Sequence, residues 1–269
     1  MRLNYLGIFC ALSLTSAFAQ ISGPEVRLGR RQHVQIRDRV DHFDGTATSS
    51  NWSGYAVTGT GFTSASASWV VPAAVCTGVS NRSDEYASFW VGLDGYSSNS
   101  VEQVGTDSDC NGSNPSYYAW YEFYPQPSYN ILSVPVSPGN VISASVVYSA
   151  TGNDFTVTLT NVSTGKSYSK TSTVRGAERT SAEWITEAPC CSGRSGILPL
   201  ADFGTINFGA DYTNVSGTNY AVSSTVSGPI SAFSTAVDIS KTASKTSPQL
   251  STCSVLSADG TSFNCTWAQ

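Results

Sequence analysis

Short segments of alternating character dominate this chain, and clusters of Gly, Asn, Asp, Ser and Pro separate them. Successive side chains of a β-strand point to opposite faces, so a period of two is typical of half-buried strands. Helical periodicity over ten or more residues is absent from the sequence. The pattern therefore predicts an all-β protein built as an antiparallel sandwich or barrel. The segments that show it best are Ser64–Val71, Tyr117–Tyr124, Val141–Ala150, Phe155–Thr160, Ser181–Glu187 and Thr205–Phe208.

Two turn clusters follow such segments. Thr151–Asp154 reads Thr-Gly-Asn-Asp, and Thr164–Lys166 has a central glycine. Both predict hairpins. The Ser/Thr-rich tail Ser231–Gln269 predicts edge strands closed by a disulfide.

The N-terminus has the features of a secretory signal over residues 1–19. Arg2 supplies a positive charge, Leu6–Leu14 is a short apolar run, and Ala17-Phe18-Ala19 forms a small-x-small cleavage site. The apolar run is too short to span a bilayer, and no later segment approaches the required length. We expect a secreted, soluble protein that does not associate with membranes.

Residues 20–48 are basic, and we expect them to be a propeptide before a single domain over residues 49–269. Arg30-Arg31 is a dibasic pair of the kind that secretory processing enzymes cut, and the alternative interpretation is a disordered arm. We expect this segment to bind an acidic cleft near neutral pH and to be released when the carboxylates protonate. His33 and His42 lie within it and are expected to help release it by gaining charge as the pH falls.

Charge and histidine content exclude several function classes. After residue 45 the chain has 15 Asp and Glu against 8 Lys and Arg, a formal net charge of −7, so nucleic-acid binding is not expected. The 227 residues after His42 contain no histidine. The domain therefore cannot use a Ser-His, Cys-His or His-ligated metal mechanism, and catalysis would rest on carboxylates, amides and hydroxyls, which favours acid.

Six cysteines follow Cys10, and an even number in a secreted chain predicts disulfides. Cys253 with Cys265 is the favoured local loop, and Cys76 with Cys110 would bracket the region around Trp90. The sequence does not decide the role of the vicinal pair Cys190-Cys191.

Six N-glycosylation sequons are present. The first of them lies beside Trp52, and its asparagine is either glycosylated on the surface or buried. The sequons begin at Asn51, Asn81, Asn111, Asn161, Asn214 and Asn264.

Carboxylates occur where strand patterns would not normally place them. In Ser181–Glu187, strand periodicity puts Glu183, Ile185 and Glu187 on one face and Trp184 on the other. This face is either solvated or part of a concave binding surface. Glu122 lies in the aromatic segment Tyr118–Pro125, where a buried carboxylate would need a partner.

Six ordered blocks between residue 51 and about residue 236 resemble the signature blocks of the fungal glutamic peptidases, also called eqolisins. The resemblance implies a concanavalin-like sandwich of two bent antiparallel sheets. It also implies pepstatin-insensitive endopeptidase activity in acid with no metal or cofactor. The blocks are Asn51–Gly54, Ala87–Gly95, Glu102–Asp107, Ala119–Pro125, Ser181–Glu187 and Leu200–Thr205.

The same resemblance implies the site residues. By motif position Gln103 and Glu183 form the catalytic pair, with Glu183 as general base and Gln103 stabilising the oxyanion. Trp52, Trp90 and Asp94 match residues that line or buttress the site. Two further matches, expected to contact substrate, are Tyr121 and Glu122. The implied partners are protein or peptide substrates and the chain's own propeptide as inhibitor, and we expect a monomer.

Two other function classes remain open from the sequence. A glycoside hydrolase would pair Glu183 with Glu122 or Glu187 across an aromatic cleft. A lectin-like carbohydrate-binding module would need neither a catalytic pair nor a propeptide.

Overall fold

The computed structural model describes residues 25–77, 84–191, 196–209, 217–232, 236–242 and 249–268. The predicted signal peptide and the sequons at Asn81 and Asn214 lie outside these ranges. Four short strands precede the predicted domain: β1 (Val26–Leu28), β2 (Arg31–Gln32), β3 (Val40–Asp41) and β4 (Thr46–Ser49).

The domain itself is built from strands joined by turns and loops. Seven strands form its first part: β5 (Trp52–Thr58), β6 (Ser64–Val70), β7 (Asp84–Glu85), β8 (Ser88–Leu93), β9 (Val101–Asn111), β10 (Asn114–Tyr124) and β11 (Tyr129–Ile131). Eleven follow: β12 (Val141–Ser149), β13 (Asp154–Asn161), β14 (Lys166–Ser172), β15 (Ser181–Glu187), β16 (Cys190–Cys191), β17 (Thr205–Phe208), β18 (Asn219–Ala221), β19 (Ser227–Pro229), β20 (Ala236–Thr242), β21 (Gln249–Cys253) and β22 (Phe263–Trp267). A 3₁₀ turn spans Ile230–Ala232. No helix in the described ranges is long and apolar enough to cross a membrane.

These strands make two antiparallel sheets that pack face to face, as predicted. The first has the order β11-β10-β9-β8-β15-β5-β20. The second has the order β14-β13-β12-β6-β17-β22-β21. Strands β6 and β12 of the second sheet pack on β8 of the first. The pairing of β20 with β21, with a register shift at Lys241/Thr242, joins the two sheets along one side.

Each of the six predicted strand segments corresponds to a strand, and β15 and β17 have the predicted bounds. The segments predicted for β6 and β12 extend one residue past the ends of those strands. Both predicted hairpins are present, joining β12 to β13 and β13 to β14. Alternation explains this success, since β13 buries every second side chain against the core. The tail differs from the prediction. Its strands β20, β21 and β22 each pair with two or more neighbours, so they connect the sheets instead of forming edges.

Two disulfides confirm the predicted pairs, Cys76–Cys110 and Cys253–Cys265. The vicinal cysteines form strand β16, which pairs with β2 of the N-terminal segment. Between the sheets lies an aromatic-rich core that includes Trp69, Phe89 and Trp184. A second apolar cluster lies on the opposite, outer face of the first sheet and includes Trp52, Trp90, Trp120 and Ile185. That second cluster locates the candidate site.

Candidate active site

One face of the first sheet points away from the core and carries four buried carboxyl groups, those of Asp107, Glu122, Glu183 and Glu187. The strand registers align its residues in rows across β10, β9, β8 and β15. Gly105 lies in the middle row, where an added Cβ would come 2.7 Å from the Trp90 Cβ, so glycine keeps the floor of the face open between the large rings. The residues of this face are Tyr118, Trp120 and Glu122 on β10, Gln103, Gly105 and Asp107 on β9, Ser88, Trp90 and Gly92 on β8, and Glu183, Ile185 and Glu187 on β15.

The N-terminal segment, residues 25–49, lies along this face in an extended conformation. Strand β1 pairs with β11 at one end, and β4 pairs in parallel with β20 at the other. Between them the Ile36 amide donates to the Gly95 carbonyl oxygen at 3.2 Å. The described part of the predicted propeptide therefore fills a cleft of the domain and is not a detached arm.

The peptide bond between His33 and Val34 is held from both sides by polar side chains of the cleft. The Gln103 side-chain amide donates to the His33 carbonyl oxygen at 2.6 Å. The Val34 amide donates to a carboxylate oxygen of Glu187 at 3.2 Å. The carbonyl oxygen and the amide nitrogen of one peptide bond thus contact an amide donor and a carboxyl group.

Glu187 is fully buried and positioned by three donors. Its Oε1 accepts from Val34 and, at 3.4 Å, from Asn51, while Oε2 accepts from the Trp90 indole at 3.0 Å. Burial raises the pKa of Glu187 to about 8, although His33 and the donors oppose that shift. A carboxyl group in this setting can exchange a proton with a bound peptide group.

Glu183 shares the face of Glu187, as strand periodicity predicts, but lies four residues away along β15. At about 3.3 Å per residue this separates the two Cα atoms by roughly 13 Å. Neither carboxylate oxygen of Glu183 has a hydrogen-bond partner among the described residues. Burial raises its pKa well above the usual value, and the charges of Asp94 and Glu102 raise it further against a nearby Ser181 hydroxyl. The structure therefore brings Gln103 and Glu187 to the bound peptide, whereas the sequence had suggested Gln103 and Glu183.

Glu122 is buried, and its partner is His33. Its Oε2 accepts from the His33 amide at 2.8 Å and lies 3.3 Å from the His33 Nδ1. The other ring nitrogen lies 3.1 Å from the Ser88 hydroxyl and 3.6 Å from Asp107. Burial lowers the pKa of His33, but Asp107 and Glu122 outweigh it and raise the pKa to about 10. Burial raises the pKa of the Glu122 carboxyl group, and the neighbouring His33, which lowers that pKa, does not cancel the shift.

The two predicted tryptophans differ in role. The Trp52 indole donates to the Val34 carbonyl oxygen at 3.1 Å and so contacts the bound segment directly. Trp90 packs edge-on against Trp52 with ring centroids 5.0 Å apart and donates to Glu187. Trp52 therefore binds the segment, and Trp90 positions the carboxyl group.

Two other predicted site residues lie away from the bound segment: Asp94, expected to line or buttress the site, and Tyr121, expected to contact substrate. Asp94 accepts hydrogen bonds from the backbone amides of residues 178, 179 and 180, so it fixes the loop before β15. Tyr121 points into the core between the sheets and stacks on Tyr129 and Tyr168. The alternation of β10 explains the correction for Tyr121, because its neighbours Trp120 and Glu122 take the cleft face.

Sequence reasoning missed the role of Asn51. Its side-chain amide donates to the Gln35 carbonyl oxygen at 3.2 Å, and its Oδ1 accepts from the Arg37 amide at 2.7 Å. Asn51 is buried, as its position beside Trp52 suggested. The sequon residue Asn161 is also buried and donates to the Pro135 carbonyl oxygen, whereas Asn111 is exposed.

At the acidic end of the cleft Arg31 lies 3.5 Å from Asp109 and over the ring of Tyr86. The predicted pairing of a basic segment with an acidic cleft is thus present in the contacts.

Residues 50–267 match a model described as the Peptidase A4 family. This chain belongs to the Peptidase A4 family. The match begins where β4 ends, so residues 25–49 lie outside it.

Two curated relatives of this Peptidase A4 chain are similar over part of their length. Aspergillopepsin-2 of Aspergillus niger is 34% identical over 180 residues, which cover 60% of this chain and 62% of the relative. Scytalidopepsin B of Scytalidium lignicola is 30% identical over 175 residues, covering 63% and 64%. The chain thus aligns with less than two thirds of both relatives.

Solved structures extend the likeness to the fold. A scytalido-glutamic peptidase bound to a transition-state analogue inhibitor has a TM-score of 0.65 and 27% identity, covering 81% of this chain and 98% of that one. Aspergilloglutamic peptidase from Aspergillus niger has a TM-score of 0.52 and 29% identity, covering 68% and 99%.

Proposed function

We propose that this Peptidase A4 chain is a secreted endopeptidase that hydrolyses peptide bonds of proteins in acid, with Gln103 and Glu187 as its catalytic pair. The observation that carries the proposal is the His33–Val34 peptide group, held between the Gln103 amide and the Glu187 carboxyl group. Our proposal replaces Glu183, the sequence-based choice of general base, with Glu187.

In the first step, ionised Glu187 takes a proton from a water molecule as the water oxygen attacks the carbonyl carbon. Negative charge develops on the carbonyl oxygen. The Gln103 amide donates to that oxygen in the bound segment at 2.6 Å, and such a donor stabilises a tetrahedral oxyanion.

In the second step, the protonated Glu187 carboxyl group transfers its proton to the leaving nitrogen. The Glu187 Oε1 already accepts a hydrogen bond from the corresponding nitrogen, that of Val34. One carboxyl group therefore serves as base and then as acid, and neither step uses histidine or a cofactor.

The acidic optimum follows from the groups involved. With the segment bound, burial raises the pKa of Glu187 to about 8. In the processed enzyme the cleft is open to water, so the carboxyl group returns towards its ordinary pKa of about 4.3 and can ionise in moderate acid. A cleft with few basic residues of its own also has few salt bridges to lose in acid.

Residues 20–48 act in this proposal as an inhibitory propeptide. The ion pair of Arg31 with Asp109 and that of His33 with Glu122 support this role, because both occupy the cleft that a substrate would need. Residues 1–19 would direct secretion, and exposed Asn111 would accept sugar. All residues of the proposed mechanism come from one chain, which is consistent with a monomer.

Similar structures support a peptide as the occupant of the cleft. One describes an eqolisin-family peptidase in complex with the tripeptide Ala-Ile-His, with a TM-score of 0.62 to this chain. That likeness supports protein or peptide substrates here.

The test compares three variants of the processed enzyme on a denatured protein at about pH 4, near the ordinary pKa of a glutamate. Glu187→Gln and Gln103→Ala should each lose roughly 10²–10⁴-fold of the rate. Gln103→Glu should be similarly impaired, because it removes the donor and adds a carboxylate.

Glu183→Gln is the matched control, because it changes the same residue type on the same strand face. It should keep activity within about tenfold of the wild type, since its carboxyl group contacts neither atom of the bound peptide. An inactive Glu183→Gln beside an active Glu187→Gln would overturn the assignment. Hydrolysis of a polysaccharide but not of protein by the wild type would overturn the peptidase proposal.

A further inference from the structure

We propose that the His33–Val34 bond is the bond that the precursor cleaves in its own chain. The inference rests on the proposed function of Gln103 and Glu187, and it adds a specific processing site to it. The dibasic pair Arg30-Arg31 is the competing site that the sequence offers.

The register of the segment is fixed on the acyl side of this bond. The His33 amide donates to Glu122 at 2.8 Å, and the Arg31 carbonyl oxygen accepts from the Ser128 hydroxyl. The Gly29 amide donates to the Ser128 carbonyl oxygen at 2.8 Å, and β1 continues the pairing with β11.

The register is equally fixed on the amine side. The Val34 carbonyl oxygen accepts from Trp52 at 3.1 Å, and the Ile36 amide donates to Gly95 at 3.2 Å. Asn51 holds both the carbonyl oxygen of Gln35 and the amide of Arg37.

Neighbouring bonds of the segment lack the same contacts. The nitrogen of the Gln32–His33 bond faces Glu122, and the carbonyl oxygen of the Val34–Gln35 bond faces Trp52. Among residues 25–49, only His33–Val34 presents its oxygen to Gln103 and its nitrogen to Glu187. The geometry thus selects one bond.

The cleavage needs water as its only further reactant. Glu187 takes one proton from water, and the water oxygen bonds to the His33 carbonyl carbon while Gln103 donates to the resulting oxyanion. The C–N bond then breaks, its electron pair stays on the Val34 nitrogen, and Glu187 returns the proton to that nitrogen. The products are a carboxylic acid at His33 and an amine at Val34, and Glu187 is ionised again.

Cleavage here would divide one continuous inhibitor into two pieces with fewer contacts each. The piece ending at His33 would lose its covalent link to the domain and would dissociate at low concentration. Acid weakens the ion pair of His33 with Glu122, because burial raises the pKa of Glu122 and its carboxylate then protonates. The backbone hydrogen bonds of the segment do not titrate, and breaking the His33–Val34 bond divides them between two pieces.

The experiment uses the full precursor purified near neutral pH and shifted to about pH 4, near the ordinary pKa of a glutamate in water. Intact mass and N-terminal sequencing identify the first products. We expect a chain that begins at Val34 and a fragment that ends at His33, formed at a rate that does not change when the precursor is diluted. Glu187→Gln should slow that cleavage by roughly 10²-fold or more.

Val34→Pro and Val34→Ala form a matched pair. Proline has no N–H to contact Glu187 and should abolish cleavage at this bond, whereas alanine keeps the N–H and should preserve it. The alanine variant keeps the test valid even if the proline variant does not fold.

Several results would overturn the inference: a first cut after Arg31 or elsewhere, equal cleavage in Glu187→Gln, or a rate that rises with precursor concentration. Digestion of added denatured protein, assayed in parallel, separates two kinds of failure. Digestion with an intact His33–Val34 bond would overturn this inference alone, and loss of both activities would overturn the proposed function.

Discussion

The imidazole ring of His33 lies flat on the indole of Trp120, with ring centroids 3.4 Å apart and ring planes 2° apart. Glu122 and Asp107 lie at 3.3 and 3.6 Å from the two ring nitrogens. A protonated imidazole between an aromatic face and two carboxyl groups combines cation–π contact with charge-assisted hydrogen bonds. This one side chain therefore contributes much of the binding of the N-terminal segment.

His33→Ala should expose the segment to an added protease. Trypsin cuts after arginine, and Arg31 and Arg37 flank His33 in the cleft, so the rate of trypsin nicking reports how often the segment leaves it. We expect that rate to rise about tenfold in His33→Ala at pH 7.5, which corresponds to about 1.4 kcal/mol of lost binding. His42→Ala is the control, because His42 is exposed, and it should match the wild type.

The pH dependence of the same protection has a definite sign. The pKa of His33 is raised from 6.5 to about 10 in the folded precursor, so its contribution is complete below pH 6.5 and is lost as the pH rises towards 10. Trypsin nicking of the wild type should therefore accelerate from pH 7 to 10, and His33→Ala should lack that acceleration. Protonation thus strengthens the His33 contact, so the raised pKa of His33 does not favour release by charge gained there, and release through His42 stays a prediction.

Glu183 should make stability depend on pH in the opposite sense to a surface carboxylate. Burial raises its pKa well above 4.5, so the folded state holds the proton more tightly than the unfolded state. The contribution of Glu183 to the free energy of unfolding is therefore most favourable below pH 4.5. This contribution is lost as the pH rises towards the pKa of Glu183 in the folded state. We expect the melting temperature of the wild type to fall between pH 4 and 7, measured by circular dichroism.

Glu183→Gln should reduce the slope of that dependence, since an amide of the same shape does not ionise. Glu102 is a second contributor, because burial raises its pKa in the same way. A wild-type melting temperature that rises over this range, or an unchanged slope in Glu183→Gln, would contradict the assignment of a buried, neutral Glu183.

The sheet framework was predictable because period-two alternation is strong where one face is buried. The segment Ser181–Glu187 became β15 with unchanged bounds, and its carboxyl groups took the predicted face. Alternation predicts which face a side chain takes, but it does not predict which residue of that face contacts the bound peptide. Residues i and i+4 on a strand share a face, so the pattern could not distinguish Glu183 from Glu187.

Other parts of the site depend on contacts that no local pattern encodes. Tyr121 lies in a segment rich in aromatic residues on both faces of β10, so residue type alone does not show that it packs in the core. The partner of Glu122 is His33, 89 residues earlier in the chain. A long-range pair of this kind was required by the burial of Glu122 but could not be identified from the sequence.

Asp94→Ala should destabilise the domain without changing the residues that contact the bound peptide bond. The Asp94 carboxylate accepts from the amides of residues 178, 179 and 180 at 2.8 to 3.0 Å, and it is fully buried. Loss of these charge-assisted bonds should cost about 3 kcal/mol in the free energy of unfolding, measured in urea. Asp94→Asn should cost less, because asparagine keeps one acceptor and tolerates the positive φ of 67° at this position. Equal stability of all three proteins would refute the loop-fixing role.

Trp90→Phe and Trp52→Phe should separate positioning of the carboxyl group from binding of the peptide. The Trp90 N–H donates to Glu187 at 3.0 Å and thereby lowers a pKa that burial raises to about 8 in the occupied cleft. Phenylalanine removes that donor, so the pKa of Glu187 should rise and the acid limb of the pH–rate profile should move to higher pH, with the largest loss of kcat in the strongest acid. The Trp52 N–H instead donates to the carbonyl oxygen of the bound segment at 3.1 Å, so Trp52→Phe should raise KM and leave the limb in place. The profile is measured on a peptide substrate with processed enzyme, and an acid limb that moves in Trp52→Phe but not in Trp90→Phe would reverse the two roles.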